Sequence, residues 1–264
     1  MNFQDTQLIG VLARAESTVS SLSDLLGGLV EKFAARGYSL YLVGGSVRDA
    51  LLGRLGNDLD FTTPARPDVV KEILDEWAET VWDTGIDFGT VSAAYKGQQI
   101  EITTFRSDSY DGQSRNPEVV YGDTLEGDLV RRDFKVNAMA IELLADASFT
   151  FHDPLHGLQD VADRVLDTPD KPEISFHDDP LRMLRAARFA SQLEFRVADR
   201  VVDAMRDMAG EIQRITVERV QVELDKLICG TAPWDGIDLL VSTGIADYIL
   251  SLIHISEPTR LGMI

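Results

Sequence analysis

Residues 40–63 read LYLVGGSVRDALLGRLGNDLDFTT. The apolar run LYLV enters a glycine pair, Gly44 and Gly45, and SVRDALLG follows as far as Gly53. This is the pattern of a short buried strand, a tight turn and a helix stopped by a glycine. NDLDFTT then reads as a second strand, ended by Pro64. Asp58 and Asp60 stand two apart on that strand, so both carboxylates leave the same face.

Two carboxylates that close repel each other unless a cation lies between them. A hard divalent ion with oxygen ligands is the natural occupant, and Mg²⁺ bridging to substrate phosphates fits this donor set. Spacing alone also allows a solvated strand end. Glu101, at the start of IEITTF, offers a third carboxylate from a neighbouring strand, with an exposed edge charge as its plain alternative. Three carboxylates on two strands can hold two metals about 3.5–4 Å apart, one activating an attacking hydroxyl and one steadying a leaving pyrophosphate. Gly44 and Gly45 let backbone N–H groups approach phosphate oxygens at a helix start, and Arg48 adds a full positive charge. A tight turn needing positive φ would place glycines there too.

Outward from this stretch, residues 19–36 carry Leu22, Leu25, Leu26, Leu29, Val30 and Phe33 at helical spacing before Gly37. PDVVKEILDEWAE, opened by Pro67, reads as a helix, and GTVSAAY and QQIEITTFR as paired strands around Lys96-Gly97. Ser107 to Asp128 is rich in Ser, Asp, Gly and Asn with little periodicity, which predicts a long functional loop. KVNAMAIEL reads as another strand, and from Asp179 onward the period is helical.

Composition bounds the function. The 264 residues are 44% hydrophobic and 26% charged, which is globular rather than disordered. Twenty-five Lys and Arg against 44 Asp and Glu leave a net charge of −19, so the chain does not grip nucleic acid by bulk positive charge. Any polyanion must be held by a local basic patch or through metal ions. The single cysteine, Cys229, suits a reducing compartment. The amino terminus shows no signal peptide, and no run reaches the roughly 18 apolar residues of a membrane span. The expectation is a cytoplasmic protein with no membrane partner; its oligomeric state is not legible.

The basic groups gather later in the chain. RRDFKVNAMA sets Arg131 and Arg132 at the end of the long loop, where two guanidinium forks suit a triphosphate. Asp133 and Asn137 can bond a sugar hydroxyl or orient those arginines, and a surface ion-pair cluster is the simpler alternative. In HDDPLRMLRAARF, Asp178 or Asp179 can cap a helix with Pro180 in its first turn. Arg182, Arg185 and Arg188 follow in three-residue steps that drift only about 120° around the helix. Asp179 and Arg182 are surface neighbours, either a plain salt bridge or donors and acceptors able to read the edge of a nucleobase. Glu218 and Arg219 of VERVQVEL can brace this helix.

GGSVRD, DLD, EITTFR, RRDFKVNAMA, DPLHGLQD, DDPLRMLR and ERVQVEL, in this order, resemble the motif set of the class II tRNA nucleotidyltransferases, which include CCA-adding enzymes and bacterial poly(A) polymerases. The resemblance runs from Tyr41 to Leu250. It implies an α+β fold: a polymerase-beta-like nucleotidyltransferase head with a mixed sheet, followed by an all-helical neck and partial body. It further implies addition of C, C and A to the tRNA 3′ end from CTP and ATP with Mg²⁺, releasing pyrophosphate. Addition of A alone, poly(A) synthesis, or a nucleotide-binding fragment with little turnover are the alternatives. By position, Asp58 and Asp60 match the metal ligands and Glu101 the third catalytic carboxylate. Gly44, Gly45, Arg48, Arg132, Asp133 and Asn137 fall on the nucleotide-binding motifs. Asp179, Arg182, Arg185 and Arg188 match the nucleotide-selecting helix. The Ser107–Asp128 loop matches the mobile loop thought to help the switch from C to A addition.

Two departures stand out: Asp178-Asp179 replaces the usual Glu-Asp, and Lys135 stands where Thr is common. A phosphohydrolase built on His152-Asp153 and His177-Asp178 is a further alternative, although both pairs lie within the transferase motifs. The expected organisation is a helical segment at 1–36, the head at 37–165, and a helical neck and partial body at 166–250. The last part, 251–264, reads SLIHISEPTRLGMI, resembles adapter read-through and is expected to be non-native.

Overall fold

The computed structural model describes residues 3–107 and 120–249. The interior of the expected mobile loop and the 251–264 tail lie outside them. The chain divides between Ala162 and Asp163 into two compact units.

In the first unit a 33-residue helix, α1 (Phe3–Ala35), precedes β1 (Leu40–Val43), α2 (Gly45–Leu51), β2 (Asp58–Thr63) and α3 (Pro67–Asp75). Strands β3 (Thr80–Trp82), β4 (Thr90–Tyr95) and β5 (Gln98–Thr104) follow, then the short antiparallel pair β6 (Arg106–Ser107) and β7 (Val120–Tyr121). Helix α4 (Leu125–Val130) and strands β8 (Ala140–Leu143) and β9 (Phe149–His152) come next, and α5 (Gly157–Asp163) leads out.

Seven strands form one mixed sheet in the order β3-β4-β5-β2-β1-β8-β9. β2 runs parallel to β5, and the other described ladders of this sheet are antiparallel. Strand alternation sorts the side chains. Leu42, Leu59, Phe61, Ile100, Ile102, Val91 and Ile141 are buried on one face, with Val70, Ile73 and Leu74 of α3 also in the core. Asp58, Asp60, Gln99 and Glu101 leave the other face. The register sets Asp60 directly opposite Glu101 and Asp58 opposite Gln99.

The structure extends and corrects the sequence reading. α1 begins well before residue 19, because Val11, Ala15 and Val19 continue the buried stripe in steps of four. β3 and β9 are short strands the reading missed. Residues 135–137, expected to open a strand, form a 3₁₀ turn instead. There the Asp133 carboxylate accepts the Phe134 N–H and an Asn137 side-chain N–H, which competes with extended pairing. Part of the expected Ser107–Asp128 loop is regular. β7 pairs with β6, and α4 starts at Leu125, capped by Thr124, whose hydroxyl accepts the Gly127 N–H at 3.3 Å.

The second unit holds β10 (Val165–Leu166), α6 (Pro172–Asp178), α7 (Leu181–Leu193), β11 (Arg196–Val197), α8 (Asp199–Asp207), α9 (Val217–Ile228) and α10 (Pro233–Ser242). β10 and β11 pair in parallel, so this unit is not purely helical. α7 is its centre, packed by α9 and α10. α10 comes so near that a Cβ on Gly236 would meet the Ala187 carbonyl oxygen at 2.6 Å. Among the described residues, no helix is long and apolar enough to cross a membrane.

Candidate active site

The site begins where β1 ends. Gly44 has φ +67° and ψ −136°, a combination that only glycine adopts without strain, and α2 starts one residue later. A Cβ on Gly44 would meet Arg132 Nη1 at 2.8 Å and lie 4.0 Å from Asp60 Oδ2. The bare turn, a guanidinium and a carboxylate therefore converge on one point. Gly45 lies under the Arg48 side chain, with Nη2 3.4 Å from where its own Cβ would stand. Ser46 sets the spacing: its hydroxyl accepts the Asp60 N–H at 2.9 Å and lies 3.4 Å from the Asp58 carbonyl oxygen. In the sequence Ser46 is simply the first residue of SVRDALLG; its link from α2 to the acidic strand needed the tertiary fold.

Asp58 and Asp60 open to solvent, while Leu59 between them is buried. The Asp60 carboxyl is held above its ordinary value. Crowding by surrounding protein is the largest cause, followed by the negative charge of Glu101; Asp58 adds to it, while Arg132 and Arg48 oppose it. Glu101 receives a long 3.5 Å contact from Gln99 Nε2. Among the described residues no three His, Cys, Asp or Glu side chains form a ready-made metal cluster, so the expected three-carboxylate cage is not closed by side-chain positions alone. The β2–β5 ladder pairs Asp60 with Glu101, and Asp58 lies one pleat away. The accumulated negative field on Asp60 fits a divalent cation with hard oxygen preference, which would relieve that repulsion.

Arg48, Asn137 and Asp133 form one buried chain. Arg48 Nη1 donates to Asn137 Oδ1 at 2.6 Å, and Asn137 Nδ2 donates to Asp133 Oδ1 at 3.0 Å. Asp49 receives Arg48 Nε and Nη2 at 3.0 and 2.9 Å. Of the two roles the sequence offered Asp133 and Asn137, these contacts match the orienting of an arginine, here Arg48.

Arg132 is held by a residue the sequence reading passed over. Asp128, 1% exposed, accepts Arg132 Nη2 at 2.9 Å and lies 3.4 Å from Arg131 Nε. Burial pushes the Asp128 carboxyl up, but the charges of Arg132 and Arg131, with hydrogen bonds from Arg132 and the Arg106 amide, bring it below its ordinary value. Arg106 is lowered by burial and by the neighbouring Arg131 and Arg132 charges, with Asp128 opposing. The signal for Asp128 was present as i,i+3 and i,i+4 spacing to Arg131 and Arg132, had α4 been recognised.

In the second unit Asp179 stands between α6 and α7. Its Oδ1 accepts the Leu181 N–H at 3.2 Å, as a helix-start carboxylate should, and its Oδ2 pairs with Arg219 Nη2 of α9 at 2.8 Å. Arg182 Nη1 donates to Ser175 Oγ of α6 at 2.8 Å. The arginine row does not stay on one exposed flank. Arg188 turns inward, 7% exposed, with Nη1 2.9 Å from buried Glu223 Oε2 and its guanidinium over Phe189. Arg185 reaches the same glutamate at 3.8 Å. The 120° drift along α7 carries Arg188 into the α9 contact.

Comparison with known proteins sets this geometry in a family. A Poly A polymerase head domain model matches residues 40–167, and a model described as "Probable RNA and SrmB- binding site of polymerase A" matches 194–255. The CCA-adding enzyme of Levilactobacillus brevis is 43% identical over 213 residues, 80% of this chain and 52% of that relative. The chain belongs to the tRNA nucleotidyltransferase and poly(A) polymerase family. Within this nucleotidyltransferase family, the crystal structure of the Bacillus stearothermophilus CCA-adding enzyme with CTP aligns at TM-score 0.73 and 35% identity, over 84% of this chain and 52% of that one. A tRNA nucleotidyltransferase complexed with a primer tRNA and an incoming ATP analogue aligns at TM-score 0.70 and 26% identity, over 88% and 62%. The chain spans about half the length of the curated relatives it matches.

Proposed function

We propose that this chain is a template-independent nucleotidyltransferase that adds C, C and A to tRNA 3′ ends from CTP and ATP, releasing pyrophosphate, in the cytoplasm. The observation that carries this reading is the convergence of the Gly44 turn, Arg132 and Asp60 on one point, with Glu101 across the ladder. The CCA-adding names of its relatives support the choice of product.

The 3′-hydroxyl of the primer attacks the α-phosphorus in line, and the bond to the leaving pyrophosphate breaks. Asp58 and Asp60, with Glu101, would hold Mg²⁺, which would lower the pKa of the attacking hydroxyl and neutralise phosphate charge. Without a Cβ at Gly44, backbone can approach the triphosphate, and Gly45 continues that bare surface under Arg48. Arg132 and Arg48 supply fixed positive charge, Arg48 being oriented by Asn137 and Asp133. In the second unit Asp179 and Arg182 serve as the base-reading pair, steadied by Arg219 and Ser175. Arg185 and Arg188 complete the selecting helix, Arg188 by fixing α7 to α9 through Glu223.

The test is extension of tRNA lacking its last three nucleotides, with each nucleotide singly and with CTP and ATP together. CTP alone should add two residues, and ATP should complete the end. Extension by ATP alone, or none with any nucleotide, overturns the reading, and loss of extension in Asp58→Ala with an unchanged fold supports the metal assignment.

A further inference from the structure

Asp128 sits at the junction of two features that the proposed chemistry treats separately. Its Oδ1 accepts the backbone N–H of Arg106 at 3.3 Å, at the start of the β6–β7 stem. Its Oδ2 accepts Arg132 Nη2 at 2.9 Å. The other terminal nitrogen of Arg132, Nη1, is the atom that stands at the Gly44 turn. One buried carboxylate thus lies between the stem and the guanidinium at the turn.

The surroundings make this link specific. Among the described residues, the buried Nε atoms of Arg106 and Arg132 have no hydrogen-bond partner, so no described contact fixes either guanidinium plane along its stem. The planes are set from their ends: Arg106 Nη2 donates to Thr90 Oγ1 at 3.0 Å, and Arg132 Nη2 to Asp128. Thr90 Oγ1 in turn lies 2.9 Å from Thr103 Oγ1 on β5, the strand that carries Glu101. The side chains of Arg131 and Arg132 both reach Asp128, at 3.4 and 2.9 Å, and the Arg106 guanidinium lies close enough to feel these charges, a grouping that suits a polyanionic ligand.

We infer that Asp128 is a positioning residue for nucleotide binding: it sets the Arg132 guanidinium at the Gly44 turn and ties that setting to the β6–β7 stem. The inference rests on the reading of Arg132 as a triphosphate contact. Asp128 is buried and bonded to Arg132, so its effect on a bound nucleotide passes through that arginine. Nucleotide affinity then responds to changes at the stem, because the Arg106 amide and the Arg132 side chain share one carboxylate.

A double-mutant cycle on the full chain, read by calorimetric CTP binding, separates this from a general structural role. Asp128→Asn should weaken CTP about 10-fold, the scale of one charge-assisted hydrogen bond, with kcat changed less than KM. Arg132→Ala should weaken it at least as much, and the double variant should be no weaker than Arg132→Ala alone. Asp128→Glu, which keeps the charge, should recover part of the loss; if Asp128→Asn does not fold, the cycle is run with Asp128→Glu on the same criteria. Losses that multiply in the double variant, or single variants that bind CTP like the wild type, overturn the inference while leaving the functional reading intact. A wild-type chain that binds no CTP overturns both.

Discussion

Asp60 faces Glu101 across the parallel β2–β5 ladder, and crowding by surrounding protein, joined by the like charge of Glu101, holds the Asp60 carboxyl above its ordinary value. The folded chain therefore keeps a proton on Asp60 at pH values where the unfolded chain has lost it. Stability from this group is fullest below the ordinary aspartate pKa and is lost as pH rises through the raised folded value.

In metal-free buffer Asp60→Asn should melt higher than the wild type at neutral pH, and the difference should vanish below about pH 4. Added Mg²⁺ should raise the wild-type melting temperature and leave the variant unmoved. Thermal unfolding across pH, with and without the ion, checks both. A variant that melts lower at neutral pH sinks the account of the acidic ladder.

Gly44→Ala places a Cβ at positive φ and 2.8 Å from Arg132 Nη1. The backbone term alone should cost about 1–3 kcal/mol. Displacement of Arg132 should lower nucleotide affinity besides. Urea unfolding and CTP titration measure the two losses separately, and an alanine variant with wild-type behaviour in both refutes the close approach.

Arg188 and Glu223 are buried together between α7 and α9. Arg188→Ala leaves the buried carboxylate with the more distant Arg185, at 3.8 Å, as its cation among the described residues and should cost about 3–5 kcal/mol. Replacing both with apolar residues of similar volume, Arg188→Met with Glu223→Leu, should recover most of it. Chemical denaturation of the four proteins completes the cycle; a single variant as stable as the double contradicts the pairing.

Arg219 holds the Asp179 carboxylate from α9 at 2.8 Å. Arg219→Ala frees one oxygen of the proposed base-reading pair, so discrimination between CTP and UTP should fall about 10- to 100-fold, the scale of one hydrogen bond to a charged group. Single-turnover incorporation of each nucleotide gives the ratio. Unchanged selectivity removes Arg219 from that task.

Local pattern was enough for the first half of the argument. The strand, glycine turn, helix and acidic strand of residues 40–63 appear where their periodicity puts them, because apolar alternation, glycine stops and proline starts act within a few residues. Short elements escaped: β3, β9 and α4 span three to six residues, too few for a period to register. The turn at 135–137 escaped as well, since Asp133 and Asn137 prefer local hydrogen bonds to an extended ladder.

Residue types and spacing by themselves determined that Asp58 and Asp60 share a face, that glycines precede a helix, and that arginines recur along α7. Only the tertiary structure decided which groups meet: Glu101 opposite Asp60 rather than Asp58, Arg132 at Gly44, Arg48 on Asn137, and Arg188 turned in on Glu223. Strand register and helix packing fix such partners, and both depend on residues tens of positions apart whose burial is settled together.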